Sequence, residues 1–367
     1  MKRASVVHSD PGQAIRSLGE QIKIPNQAAL IFFCSAEYDP AVVSEECNRV
    51  FECPILGCSS AGEIGERYQT GGIVGLSLPM EHFTVVSRYI SPLPMYTPQA
   101  ASETVASLMS EIGGESVEGV FAFSLIDGLS VLEEEFVANT YGALPRIPLV
   151  GGSAGDNLKF EKTIVYCNRD FGGNSAVLSL IKTNLPFQTF ELNHFTPSDK
   201  EMVTTEVDTL SRTVYEIDGG PAAEEYAKLL GLKVEDLTPH VFSAHPVMLQ
   251  IGDEWYVRSI QKVNPDKSLT FFCAIEEGIP LSIGNGESFV SRLDERSRQL
   301  QENFDEVLLT LGCDCILRKL EIEQRGIQEE VEEILQKLRF IGFSTFGEQV
   351  NAIHVNQTLT GVVFGRR

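Results

Sequence analysis

Basic side chains are scarce in this sequence of 367 residues: 29 Lys and Arg stand against 51 Asp and Glu, giving a formal net charge of -22. Phosphate backbones are gripped by clustered cations that release counterions, so the charge balance argues against a nucleic-acid binder. It argues equally against docking on an anionic membrane surface. Long apolar runs are also missing. No uncharged stretch approaches the ~18 residues of a bilayer-spanning helix, and Ser5, His8, Asp10 and Pro11 stand where a secretory signal is apolar. A disulfide framework is lacking. The eight cysteines (Cys34, Cys47, Cys53, Cys58, Cys167, Cys273, Cys313 and Cys315) are scattered, several of them inside apolar runs. A reduced thiol in such a run behaves as a small hydrophobe. The one tight pair, Cys313-x-Cys315, has no second pair at zinc-site spacing. A P-loop, a GxGxxG after a strand and an HExxH are absent as well. These absences leave a globular protein of a reducing cytoplasm, its 43% hydrophobic share sufficient for a real core.

What is present is repetition. Ile55-Leu-Gly-Cys-Ser-Ser-Ala-Gly-Glu63, Leu149-Val-Gly-Gly-Ser-Ala-Gly-Asp156 and Phe340-Ile-Gly-Phe-Ser-Thr-Phe-Gly-Glu348 share the pattern apolar-x-Gly-x-Ser-x-x-Gly-acid, the middle copy one residue shorter. Each follows an apolar run (28–34, 119–125, 306–311) and a helix-like stretch (39–51, 130–144, 328–338). Each precedes a strand-like run (73–78, 176–181, 359–364). Asp39-Pro40 is an N-cap with a proline at N1. The unit is strand, helix, Gly-Ser loop, strand, which predicts an α/β fold of mixed sheets with helices packed outside. Glycine permits close backbone approach, so the loops (Gly57, Ser59, Gly62, Glu63; Gly151, Ser153, Asp156; Gly342, Ser344, Glu348) are expected to cluster. They either offer N–H groups to an anion or are locked by their own terminal carboxylates. Residues 203–286 differ, with consecutive antiparallel strands and turns, and a boundary between two halves is expected near residue 220. The acidic stretch Glu321 to Glu333 is expected to present a solvated helix face where a partner docks.

Several of these motifs, in order, resemble FIST-domain proteins, sensory modules of bacterial signal transduction. The carriers are GCSSAGEIG at 57–65, PLVGGSAGDNL at 148–158, VTTEVDTLSRTVYEIDGGPAAEEY at 203–226, HPVMLQIGDEWYVRSI at 245–260, FFCAIEEGIPL at 271–281 and GFSTFGEQVNAIHVNQTLTG at 342–361. The resemblance implies a short N-terminal segment (1–24), a FIST N-terminal part (25–220) and a FIST C-terminal part (221–367). With no output domain in these residues, it implies a non-catalytic sensor that acts on a separate signalling protein. Stand-alone chains of this kind are similar to NosP, haem-binding nitric-oxide sensors that regulate a histidine kinase in trans. The resemblance thus implies haem b, a diatomic gas as ligand and a kinase partner, and it is compatible with a homodimer.

A haem iron needs an axial ligand, usually a neutral histidine in an apolar pocket. Of six histidines, His8, His82 and His240 stand in loose or exposed contexts, whereas His194, His245 and His354 have apolar neighbours. His245 is the first choice. It heads a strand whose neighbour carries Arg258, and a guanidinium suits a propionate. The bland alternatives are hydrogen-bonded structural histidines, and for Arg258 an ion pair with Glu276 or Glu277. A second ligand class is a small metabolite such as an amino acid, its carboxylate held by loop N–H groups and Arg258. An enzyme reading rests on Gly151-x-Ser153-x-Gly155, which fits the nucleophile elbow of serine hydrolases. The same serine recurs in loops without elbow spacing, which favours a shared structural turn.

Overall fold

The computed structural model describes residues 1–113 and 116–367. The chain is built from three like units. The first runs β1 (Lys2–Val7), α1 (Pro11–Ile22), β2 (Gln27–Ser35), α2 (Pro40–Val50), β3 (Ile55–Ser60), a hairpin of β4 (Glu63–Ile64) and β5 (Tyr68–Gln69), then β6 (Gly72–Pro79). The second runs β7 (Phe83–Ile90), α3 (Pro98–Ile112), β8 (Val120–Ile126), α4 (Glu133–Ala143), β9 (Leu149–Ser153), a hairpin of β10 (Val165–Cys167) and β11 (Asp170–Gly172), then β12 (Ala176–Thr183). The third begins with β13 (Phe187–Leu192) and is interrupted by an antiparallel insertion. This comprises β14 (Phe195–Asp208), β15 (Thr213–Ile217), β16 (Gly220–Pro221), α5 (Ala222–Leu230), α6 (Pro239–Ala244), β17 (Val247–Ile251), β18 (Glu254–Arg258), β19 (Ile260–Val263), β20 (Leu269–Phe271) and β21 (Pro280–Gly286). The unit then resumes with α7 (Phe289–Glu302), β22 (Glu306–Cys315), α8 (Ile316–Arg325), α9 (Gln328–Lys337), β23 (Phe340–Thr345), a hairpin of β24 (Glu348–Val350) and β25 (Ile353–Val355), and β26 (Leu359–Arg366).

Each unit forms one mixed sheet around a parallel pair: β2 with β3, β8 with β9, β22 with β23. An antiparallel strand closes one side, and the outer strand β1, β7 or β13 lies beyond it. The other side is completed by a neighbour. The hairpin strand β10 of unit 2 pairs with β3 of unit 1, β24 of unit 3 pairs with β9 of unit 2, and β4 of unit 1 pairs with β23 of unit 3. The three sheets thus exchange hairpins in a closed cycle. Their inner faces share one core, in which Phe33, Phe123, Val150, Leu311, Phe343 and Phe364 meet. Helices α1 and α2, α3 and α4, and α7 and α9 cover the outer faces. Burial on both faces explains why β2 is apolar from Ala28 to Cys34 instead of alternating. At Gly342 a Cβ would lie 2.0 Å from the Gly312 carbonyl, so β22 and β23 can approach only as glycine on glycine.

The expected α/β fold of mixed sheets with packed helices is the one observed. Asp39 caps α2 as expected, its carboxylate accepting from Ala41 N–H at 2.8 Å. The repeat reaches further than the motifs suggested, because an outer strand and a helix precede each apolar run. Residues 2–22 form β1 and α1, which pack on β6 and α2 of unit 1. Residue 220 opens β16, inside the insertion. The acidic stretch 321–333 is not one solvated face. Gly326, in the left-handed conformation, ends α8, and Glu321 and Glu332 are buried. All eight cysteines are free, with only Cys53 not fully buried. Among the described residues no His, Cys, Asp and Glu cluster suits a metal ion, and no helix is long and apolar enough to cross a membrane.

Candidate functional site

The three Gly-Ser loops meet. Ser59 N–H donates to Ile164 C=O at 2.8 Å, and Ser59 C=O accepts from Gly155 N–H at 3.1 Å. Ser153 makes the matching pair with Gly347 C=O (2.8 Å) and Phe346 N–H (3.2 Å), and Ser344 with Gly62 C=O (2.7 Å) and Ala61 N–H (2.9 Å). Each equivalent serine therefore gives and takes one backbone bond with the next loop, and the ring closes. Between the first two loops lies a cleft of about 220 Å³, lined by Ser35, Ser60, Gly62, Glu63, Asp156 and Asn157.

The loop N–H groups are not free for an anion. Glu63 accepts from Ser60 Oγ (2.6 Å) and Gly72 N–H (3.1 Å), and Glu348 accepts from Thr345 Oγ1, Thr358 N–H (3.2 Å) and Thr358 Oγ1 (2.6 Å). Asp156 accepts from the N–H groups of Phe160, Glu161 and Lys162 at 2.7–3.0 Å. The carboxylates accept from a hydroxyl of their own loop (Ser60, Thr345) and from N–H groups further along the chain (Gly72, residues 160–162, Thr358), not from the N–H groups of the Gly-Ser loops. Burial pushes the Glu63 carboxyl up to about 7 and that of Glu348 up to about 8, against the hydrogen bonds they accept. Ser153 is fully buried and its Oγ accepts from the Gln349 amide at 3.0 Å. Its partner is thus an amide and not an imidazole, which removes the geometry a nucleophile elbow needs.

The three candidate histidines lie apart. His194 is buried between the Phe195 and Phe289 rings, with Nε2 2.9 Å from Glu321 and Nδ1 3.5 Å from Arg318 Nη1. Both its nitrogens are spent. His245 caps the C-terminus of α6 and is exposed. His354, in β25, is buried, and neither ring nitrogen has a partner. Burial lowers its pKa to about 4 against the pull of Glu134, with Arg212 and Arg258 adding to the fall, so the ring is neutral at pH 7.

Arg258 joins His354, not His245. Its Nη1 donates to the His354 carbonyl at 3.0 Å, and it forms no ion pair with Glu276, Glu277 or any other carboxylate among the described residues. Around this contact runs a polar seam between the insertion, α4 and the β24–β25 hairpin. Arg212 donates to Phe272 C=O (2.6 Å), Glu133 (2.5 Å) and Glu134, while Ala274 N–H donates to Glu134 at 2.6 Å. Ser259 N–H donates to Asn356 Oδ1 (3.4 Å), Ser259 Oγ to Gln357 Oε1 (3.0 Å), and Gln357 Nε2 to Ser243 C=O (2.6 Å). Arg212, Glu133, Glu134, Asn356 and Gln357 went unremarked in the sequence. For Asn356 and Gln357 alone there was a signal, the polar residues interspersed from Gln349 to Thr360 in a stretch otherwise patterned for burial.

Haem does not fit these residues. None of the three rings lines any of five open cavities of about 220 to 650 Å³. The Nε2 edge of His354 is packed on Gly347, where even a Cβ would come within 2.5 Å.

Known proteins bear on this arrangement. The family model of the FIST N domain matches residues 28–220, and that of the FIST C domain matches residues 222–351. An uncharacterized protein of Methanocaldococcus jannaschii is 22% identical over 272 residues, covering 64% of this chain and 52% of the relative. The chain thus spans about half the length of that relative.

Proposed function

The chain belongs to the FIST family, a family of sensory domains, and from that premise we propose that it binds a small molecule in the seam between insertion and three-unit body and passes the change to a separate signalling protein. The observation that carries this is the seam itself. It is polar, and three of its buried side chains (Arg258, His354 and Asn356) have nitrogens without partners. Buried polar groups are nearly always satisfied, so a cluster of exceptions marks a place where something else belongs. An interface held by charge and amide contacts also opens more readily than an apolar one. A ligand that closes or opens it shifts the insertion against the body, and a partner senses that shift. A histidine kinase is the expected class of partner. No catalytic step is assigned to the chain.

Thermal unfolding in the presence of a metabolite panel tests the reading. A seam ligand at a hundredfold excess over Kd is expected to stabilise by about 2.7 kcal/mol and to slow amide exchange in β18 and β25. A panel without a single stabilising compound overturns it. Haem and nitric oxide are tested in parallel by absorbance. The fit above predicts no Soret band from a specific complex. A band that moves with nitric oxide and vanishes in His245→Ala or His354→Ala would restore the gas-sensor reading.

A further inference from the structure

Arg258 and Arg318 are both buried arginines, and they differ in one respect. Arg318 is 1% exposed and has Asp314 at 2.6 Å. Arg258 is 6% exposed, has no carboxylate within ion-pair distance among the described residues, and spends only Nη1 in the hydrogen bonds recorded, on a backbone carbonyl. Its Nε is buried without an acceptor. A carbonyl carries only a partial charge, so the guanidinium is desolvated without being neutralised. That is the costly arrangement for a buried ion.

The surrounding orphans are mostly of one kind. Asn356 Nδ2 is a donor with nothing to donate to, since its Oδ1 already accepts from Ser259 N–H. Neutral His354 carries one ring N–H, also unpartnered. Both nitrogens pack against Gly347, where a Cβ would stand 2.5 Å from His354 Nε2 and 2.9 Å from Asn356 Nδ2, so an anion reaches them only when the β24–β25 hairpin and the insertion part. The carboxylates of the seam do not supply the missing acceptor, because Glu133 and Glu134 are engaged by Arg212 and Ala274 N–H.

We propose that the seam ligand is a compact oxygen anion, a small carboxylate or an inorganic oxyanion, that neutralises Arg258 and accepts hydrogen bonds from Arg258 Nε, Asn356 Nδ2 and the His354 ring. The proposal rests on the sensor reading above and gives its ligand a chemical class. Unpaired donors and an unpaired cation together select for negative charge and oxygen acceptors. Burial of all three side chains selects for small size and requires the seam to part for entry, which ties occupancy to movement of the insertion.

Differential scanning fluorimetry of the full chain tests it, with sodium formate, acetate and pyruvate as carboxylates, nitrate and phosphate as inorganic oxyanions, and chloride at matched ionic strength as the control. At least one of the five oxygen anions is expected to raise Tm by about 3–5 °C at a hundredfold excess over Kd, with chloride far behind. Which series responds tells carboxylate from inorganic oxyanion. Arg258→Gln is expected to lose the response while its ligand-free Tm is equal to or above that of the wild type, because it removes an uncompensated buried charge. Gly347→Ala, whose methyl points at the His354 and Asn356 nitrogens, is expected to lose the response as well. Equal effects of chloride and the oxyanions, a response that survives Arg258→Gln, or an Arg258→Gln protein well below wild type in Tm overturns the anion site. If the anions fail while another metabolite stabilises the protein, the anion class falls and the sensor reading stands. If nothing stabilises it, both fall.

Discussion

Asp314→Ala is expected to cost about 3–5 kcal/mol of unfolding free energy, among the largest effects of any single polar substitution in the chain. Asp314 sits 1% exposed at the end of β22, with Arg318 Nε 2.6 Å from one carboxylate oxygen and the Tyr68 hydroxyl donating to the other at 2.6 Å. Arg318 also lies over the Phe289 ring, 4.3 Å from its centroid, and faces His194, which in turn pairs with Glu321. The group ties the hairpin of unit 1 to the third unit and to the start of the insertion. Deleting Asp314 strands a buried guanidinium and a buried phenol at once. Urea unfolding of Asp314→Ala, Arg318→Met and the double variant measures this. The double variant is expected to recover much of the loss, because the stranded charge goes with it. A loss under about 1 kcal/mol in Asp314→Ala contradicts the assignment.

The second large effect is a fall in stability as pH rises. The folded-state pKa values of Glu63 (about 7) and Glu348 (about 8) lie above the ordinary glutamate value of 4.5, raised chiefly by burial. The native state therefore holds protons that the unfolded chain has released. Their contribution to stability is complete below pH 4.5 and is lost as pH climbs, up to about 7 for Glu63 and about 8 for Glu348. The slope is roughly 1.4 kcal/mol per pH unit for each group inside its window. Other ionisable groups overlay their own slopes, so the comparison that isolates the effect is Glu348→Gln. An amide mimics the protonated acid and keeps hydrogen-bond partners for Thr345 and Thr358. The variant is expected to match the wild type near pH 5 and to exceed it at pH 8. Parallel stability curves across that range would show instead that Glu348 is ionised in the native state.

The residues that made the fold legible were those whose local chemistry is decisive. The Gly-Ser loops, the Asp39-Pro40 cap and the apolar runs of β2, β8 and β22 each announce themselves within a few neighbours. The hairpins β4–β5, β10–β11 and β24–β25 do not. Their strands are two or three residues long, too short for any period, and their partners lie in other units, as with Ile64 beside Gly342. The outer strands β1 and β7 are only half buried, so they lack the continuous apolar signature of the inner ones. The site was harder for a related reason. Charged residues such as Glu321, Asp314 and Arg318 are assigned to solvent by any composition rule, and only tertiary pairing makes their burial tolerable. Arg258 was singled out in the sequence beside His245, but the histidine it contacts is His354, 96 residues along the chain, not the His245 that heads the adjacent strand.

The cyclic exchange of hairpins bears on how the protein is made. On the ribosome unit 1 emerges first, yet its sheet has an open edge at β3 until Val165–Cys167 follows. Glu63–Ile64 pairs at once with its own hairpin strand Tyr68–Gln69, but its other edge stays open until residues 342–343 have left the exit tunnel. Arg3 meets its acceptor, the Phe340 carbonyl, nearly a whole chain length later. Contacts of such long sequence separation slow folding, and unpaired strand edges beside an exposed apolar core invite aggregation while the chain waits. The cycle of paired sheets is therefore complete only once the third unit has been made.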